Sequence, residues 1–377
     1  MIVQAAITML VLLGLSAFVV DHGVLWLGRE QAQNAADAGA IAGAIARAYD
    51  DIDASPSAST GIVYDTVTEV VRRNPVWFNE AFTTSGLSYA CPFGAGRCVK
   101  VDVFRDGTSG SVTLPVFFGP VLGITSQRVR ATATAEVAVG NGTTCLKPWA
   151  IPDKWIEGSV PADDNFKKHA AGPNPDDYRP PTADPPGGYA FPDDLGRLVT
   201  LSFAHPEDPS EPITAGFLLP LVLPGANTYE QNIAGCNGQL ATFDQTIGVG
   251  TSAEEATTNA GFQALFDLEP AASWVDNNVN SCAPVCAPIS PRLVALAVFD
   301  VEQYEFMRAT GNWAACDTSA GPSGQCVKVV NIVGLFIQDV AGGVITGRLA
   351  RYPGRVWADS PTLTSLSSFL PAITLVR

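Results

Sequence analysis

IVQAAITMLVLLGLSAFVVDHGVLWLGREQAQNAADAGAIAGAIARAY, residues 2–49, decides the architecture of this chain, because its first part carries no charged side chain from Met1 to Val20. As a helix, residues 2–20 span about 29 Å, close to the ~30 Å hydrocarbon thickness of a bilayer. Eleven Ile, Val, Leu or Phe residues in this run favour insertion, against small penalties from Gln4, Thr8 and Ser16. A cleaved secretory signal would need a basic n-region and a small-x-small cleavage site, and neither is present. An uncleaved single-pass anchor is the better reading. No Lys or Arg precedes Arg29, so orientation has to be argued from the rest of the chain.

Nothing interrupts the helix beyond the apolar run. Eight alanines and no proline lie between Ala35 and Ala48, which gives strong helix propensity and a rod of about 70 Å. Gly39 and Gly43, flanked by Ala36, Ala40 and Ala44, leave one stripe nearly bare of side-chain bulk, where another backbone can approach closely. Two occupants of this helix-packing interface are open: the chain's own small domain, or another subunit in a homo- or hetero-oligomer built through the N-terminal helix.

Residues 51–59 (DIDASPSAS) break the pattern. Gly61 to Arg73 then predicts a helix with Ile62, Val63, Val67, Val70 and Val71 on its apolar face, stopped at Asn74-Pro75. Val99, Val101 and Val103 alternate, Asp106-Gly107 signals a turn, and Val112 to Phe118 reads as the returning strand of a hairpin. Arg128 to Val139 alternates cleanly, with Val129, Ala131, Ala133, Ala135 and Val137 on one face of a half-buried strand. Past Cys145 the text turns rich in proline, with seven between Gly172 and Asp194. Short apolar runs at 216–223, 293–301, 327–337 and 373–376 predict strands, and Ser252 to Phe266 predicts a helix starting at a Ser cap. The fold class is α+β in three parts: a transmembrane and Ala-rich helix over 1–50, a small α+β module over 51–140, and a mostly β module with long loops and disulfides over 141–377.

A formal net charge of −15, with 22 Lys and Arg against 37 Asp and Glu, argues against nucleic acid or an anionic membrane surface as the partner of the part outside the membrane. All eight cysteines follow residue 90, and beyond a membrane anchor they read as disulfides of an oxidising compartment, placing the bulk outside the cytoplasm. Cys91 with Cys98 and Cys316 with Cys326 bracket Gly-rich turns and look like local staples. Cys145, Cys236, Cys282 and Cys286 remain, with their pairing open; Cys282 and Cys286 as half a zinc site would need distant ligands, so a disulfide is preferred.

Chemistry is sparse. The three histidines, His22, His169 and His205, have no nucleophile setting around them, no G-x-S-x-G occurs, and GVG at 248–250 lacks the rest of a phosphate or dinucleotide fingerprint. The acidic residues Asp163, Asp164, Asp176, Asp177, Asp184, Asp193 and Asp194 offer oxygen donors of the kind calcium takes, without the EF-hand spacing, so solvated loop and calcium site are both open and no other cofactor is implied. Asn141-Gly-Thr is a glycosylation sequon by letter only. Trp149, Trp155, Tyr178 and Tyr189 near this acidic text motivate a second reading, a membrane-tethered module that binds a surface glycan or protein in adhesion. A periplasmic hydrolase has only the acidic text to recommend it.

The segment VLLGLSAFVVDHGVLWLGREQAQNAADAGAIAGA, with Asp21, Gly23, Gln33, Ala36, Asp37, Ala38, Ala40, Ala42, Gly43 and Ala44 in place, resembles the TadG-like family of bacterial tight-adherence (Flp-type) pilus assembly proteins. VTLPVFFGPVLGITSQRVRATATAEV, KPWAIPDKW, NIAGC, SPRLVALAVFD and VKVVNIVGLFI are similar to later parts of that family. The resemblance implies a non-enzymatic pilus assembly factor or minor pilin. It implies an inner-membrane anchor with the N-terminus cytoplasmic, a periplasmic or cell-surface bulk, and other pilus-apparatus subunits as partners. It implies no catalytic residue.

Overall fold

The structure is a computed structural model and describes residues 2–50, 56–80, 82–83, 87–92, 96–158, 161–169, 175–280, 290–358 and 368–376. α1 (Ile2–Tyr49) is one continuous helix, as the alanine-rich, proline-free text requires. Contacts divide the chain into two units, Met1–Ala138 with Ile373–Arg377, and Val139–Ala372. The second half of α1 packs within the first unit, and the end of the chain, from Ile373, belongs to it as well.

In the first unit α2 (Ile62–Arg72) turns Val63, Val67 and Val71 inward, one turn apart along a single face. It ends before Pro75, where the Asn74 amide donates to the Val70 carbonyl at 2.8 Å. A sheet holds β1 (Phe82–Thr83), β2 (Arg97–Arg105), β3 (Val129–Val139) and the last strand, Pro371–Val376, in that order. β2 and β3 are antiparallel, with Arg97 opposite Val137 and Arg105 opposite Val129. All five residues assigned to the inner face of β3, from Val129 to Val137, are buried.

The expected hairpin return at Val112 to Phe118 is not a strand. β2 takes β3 as its partner, and 106–128 forms a long loop held by one bridge, Leu114 to Gln127. Pro115 and Pro120 lack the N–H groups that a ladder needs. The Arg105 guanidinium also claims the Val112 and Thr113 carbonyls, at 2.7 and 3.1 Å.

The second unit is built around seven strands: β5 (Leu146–Pro152), β6 (Leu198–Phe203), β7 (Phe217–Val222), β9 (Thr246–Val249), β12 (Leu293–Phe299), β13 (Cys326–Ala341) and β14 (Val344–Ala350). They lie in the order β12-β5-β7-β6-β14-β13-β9, and further β12–β13 and β7–β9 pairings close the hydrogen bonding on itself. Closure removes exposed edges. It also explains why β12 reads LVALAVF without alternation: Val294, Leu296 and Val298 pack with Trp149 and Phe262, while Ala295, Ala297 and Phe299 join Phe217 and Tyr304. Two short ribbons, β4 (Gly142–Thr143) with β8 (Ala241–Thr242) and β10 (Ser273–Val275) with β11 (Asn278–Asn280), accompany it.

Among the described residues, three helices cover the strands: α3 (Tyr229–Ala234), α4 (Glu255–Asp267) and α5 (Val301–Thr310). The helical segment at α4 is capped by Thr251, one residue earlier than the expected Ser, through a capping box with Glu254. Three disulfides join Cys91 to Cys98, Cys316 to Cys326, and Cys145 to Cys236 across 91 positions. Cys282 and Cys286 lie outside the described residues.

Candidate functional site

The small-residue stripe of α1 is where the first unit is assembled. Ala36, Gly39, Ala40, Gly43 and Ala44 are all buried, and the surfaces that cover them belong to α2 and β2 of the same chain. A Cβ at Gly39 would fall 2.7 Å from Val71 Cγ2, and one at Gly43 would fall 2.5 Å from Val67 Cγ2 and 2.8 Å from Val99 Cγ1. Glycine is required there by close approach, not by backbone angle. The stripe is thus an intramolecular seam. Ile41 and Ile45 point the other way and are exposed.

Polar groups lock the seam near the C-terminal end of α1 and midway along the helix. Near the C-terminal end of α1, Arg47 donates to the Cys98 carbonyl at 2.5 Å, and Arg97 donates to the carbonyl of Arg47 at 2.6 Å. Midway, Gln31 Oε1 accepts the Trp77 N–H at 2.8 Å. Gln33 donates to the Asp37 carboxylate one turn on, at 2.7 Å, so these two motif residues hold each other along the helix. Gly23 has no atom within 4 Å of where a Cβ would sit, and nothing packed against it explains a glycine.

Asp21 is the motif residue with the most specific surroundings. It is 8% exposed, and its carboxylate accepts the N–H groups of Phe117, Phe118 and Gly119 at 2.8, 3.1 and 2.6 Å. The loop it grips is anchored at its base by Arg105, whose guanidinium also donates to the Val76 carbonyl at 2.8 Å and whose pKa is lowered by burial. Sequence reasoning named Asp21 as a motif residue without a partner for it, and missed Arg105. The available signal was the uncharged text between Asp106 and Arg128, of which Val112 to Phe118 was read as a strand.

Residues of the second unit that motivated a binding reading are structural. Trp149, Tyr178 and Tyr189 are buried and Trp155 is half-buried, so these rings fill the core instead of offering a stacking platform. Asp176 accepts the Gly158 and Lys167 N–H groups at 2.8 and 2.7 Å, and Asp194 pairs with Lys154 at 2.5 Å and Arg197 at 3.1 Å. Among the described residues the acidic loops form no group of three ligands within reach of one ion; the one such group is Cys91, Cys98 and Glu136, whose thiols are joined in a disulfide. Asn141 is fully buried, with its amide donating to the Trp357 carbonyl at 2.7 Å, so the sequon presents no acceptor.

Two buried ionisable groups have no catalytic setting. Asp153 is raised to about 7 by burial, and it accepts the Tyr189 and Lys154 N–H groups and the Tyr178 hydroxyl. Lys147 is lowered to about 8 by burial while donating to the Ile233 and Gly235 carbonyls. Both groups hold backbone in place.

Upstream of Asp21 the helix is bare: every described side chain from residue 2 to 20 is exposed except half-buried Ala17. Thr8 turns its hydroxyl back to the Gln4 carbonyl at 2.8 Å, as a polar side chain in an apolar span does. Among the described residues this is the one helix long and apolar enough to cross a membrane. With the disulfides, it marks a membrane-anchored extracytoplasmic protein.

Residues 4–47 match the Tad family model, described as "Putative Flp pilus-assembly TadE/G-like", so the chain carries a TadE/G-like domain at its N-terminus. The later segments noted for their resemblance lie outside the matched residues. No curated protein and no solved structure matches the chain.

Proposed function

We propose that this protein is a non-enzymatic, membrane-anchored component of a tight-adherence pilus or of its assembly apparatus. It crosses the bacterial inner membrane once, with the N-terminus cytoplasmic and the disulfide-stapled units periplasmic or at the cell surface. The observation that carries this reading is the coincidence of the TadE/G-like match with α1: the matched residues include the bare apolar run and the seam that fastens the helix to its own head. Because the chain's own valines occupy the glycine stripe, contacts with other apparatus subunits fall to the bare run and to the opposite face at Ile41 and Ile45.

Deletion of the coding sequence should abolish or sharply reduce surface pili, with rescue by the full chain; normal piliation in the deletion strain would refute the proposal. Shearing the cells and probing filaments and washed membranes then separates its two forms. Presence in filaments makes the protein a minor pilin, and retention in membranes alone makes it an anchored assembly factor.

A further inference from the structure

The Val112–Ile124 segment runs down α1 toward the helix N-terminus. Leu114 packs against Gly28, where a Cβ would lie 2.7 Å from Leu114 Cδ1. Phe117 to Gly119 hang on Asp21. Beyond them, Val121 and Ile124 line a pocket of about 500 Å³ together with Leu13, Gly14, Ala17 and Phe18. From Asp21 to Gly14 the helix advances about 10 Å, so the pocket that Val121 and Ile124 share with Gly14 reaches toward the helix N-terminus beyond the level of Asp21. Gly14 lies inside the apolar run.

Exposure and charge agree with this depth. Val121 is 86% exposed, Phe117 58%, Ile124 51% and Phe118 46%, a contiguous apolar patch that a protein surface in water rarely shows. No residue between Asp106 and Arg128 is charged.

Part of the loop's backbone is satisfied without water. Besides the three N–H groups on Asp21, those of Val121, Gly123 and Ile124 donate to the Phe118, Pro120 and Gly119 carbonyls, and Pro120 has none. Hydrocarbon imposes such internal satisfaction.

We propose that the 112–124 loop is a second membrane element. It inserts into the outer leaflet beside the transmembrane run, with Asp21 stapling it to the helix and lipid acyl chains filling the pocket between them. The inference rests on the anchor reading of α1. The bilayer is its occupant because the patch continues the lipid-facing surface of the helix from Leu13 to Phe18, and the polar lining of the pocket is confined to Asp21, His22 and Gln127. A loop seated 5–10 Å deep would fix the rotation and tilt of the helix in the membrane, and so the height of the first unit above it.

The test uses the full chain reconstituted in vesicles of phosphatidylethanolamine and phosphatidylglycerol. The photocrosslinker p-benzoylphenylalanine replaces Val121 or Phe117 in separate variants, Val19 as the membrane reference, and Ile62 as the reference for an exposed apolar site remote from the bilayer. After irradiation, phospholipid adducts are counted by mass spectrometry. The proposal expects adducts at Val121 and Phe117 within about threefold of Val19 and at least about tenfold above Ile62. Labelling at Val19 with Val121 and Phe117 at the Ile62 level overturns the loop insertion and leaves the anchor standing, as does crosslinking of the loop to protein in place of lipid. No lipid adduct at Val19 overturns the anchor reading and the insertion with it.

Discussion

Replacing Gly43 with leucine should unfasten the head from its helix. The Cβ alone would lie 2.5 Å from Val67 Cγ2 and 2.8 Å from Val99 Cγ1, about 1 Å or more inside normal carbon contact distances on two sides. Neither neighbour gives easily, since Val67 sits within α2 and Val99 within β2, both fully buried, and a helical valine has one strongly preferred rotamer. Leaving glycine returns about 1 kcal/mol of helix propensity, while forcing a side chain into a filled seam costs about 3 kcal/mol or more. The net loss of about 2 kcal/mol corresponds to roughly thirtyfold in a local opening equilibrium. Gly43→Ala should lie between zero and that value. Gly14→Leu, at a position with no atom within 4 Å of a Cβ, should leave the protection of α2 and β2 unchanged. Hydrogen exchange of the full chain in detergent micelles reads this directly on peptides from α2 and β2. Unaltered protection in the Gly43→Leu protein would show that the seam is looser than its geometry says.

Two further perturbations address the second unit. Burial raises Asp153 to about 7, above an unfolded value near 3.9, so its contribution to stability is complete below about pH 4 and is lost as pH rises through 7. Thermal melts should fall between pH 5 and pH 8 more in the natural protein than in Asp153→Asn, whose Oδ1 keeps both backbone N–H groups while its amide faces Tyr178; parallel curves would refute the assignment. Replacing Cys145 and Cys236 together by alanine opens a loop of 91 positions and should cost about 2–5 kcal/mol in denaturant unfolding, with a loss below about 1 kcal/mol counting against a structural role for this bridge.

Periodicity along one element was legible wherever a single face meets the core. α1, α2 and β3 could be drawn from the text, because alanine-rich helix propensity, a valine repeat one turn apart and strict alternation are local properties. β12 and β13 were legible as apolar runs, although their partners were not, since strands buried on both faces carry no register signal. The loop 106–128 misled for a physical reason. Its valines and phenylalanines have strand propensity, but two prolines and the competing guanidinium of Arg105 deny it a ladder.

By itself the sequence determined that α1 is a single rod with an uncharged end and a stripe that admits close approach, and that the cysteines belong to an oxidising compartment. Composition and short-range spacing suffice for such conclusions. Only the tertiary structure decided that α2 and β2 of the same chain fill the stripe, that Cys145 pairs with Cys236, and that Asp21 holds the backbone of a loop 96 positions away. Each of these is a contact between segments distant in the chain, and a carboxylate or a glycine reads identically in the text whether it meets water, a partner or its own fold.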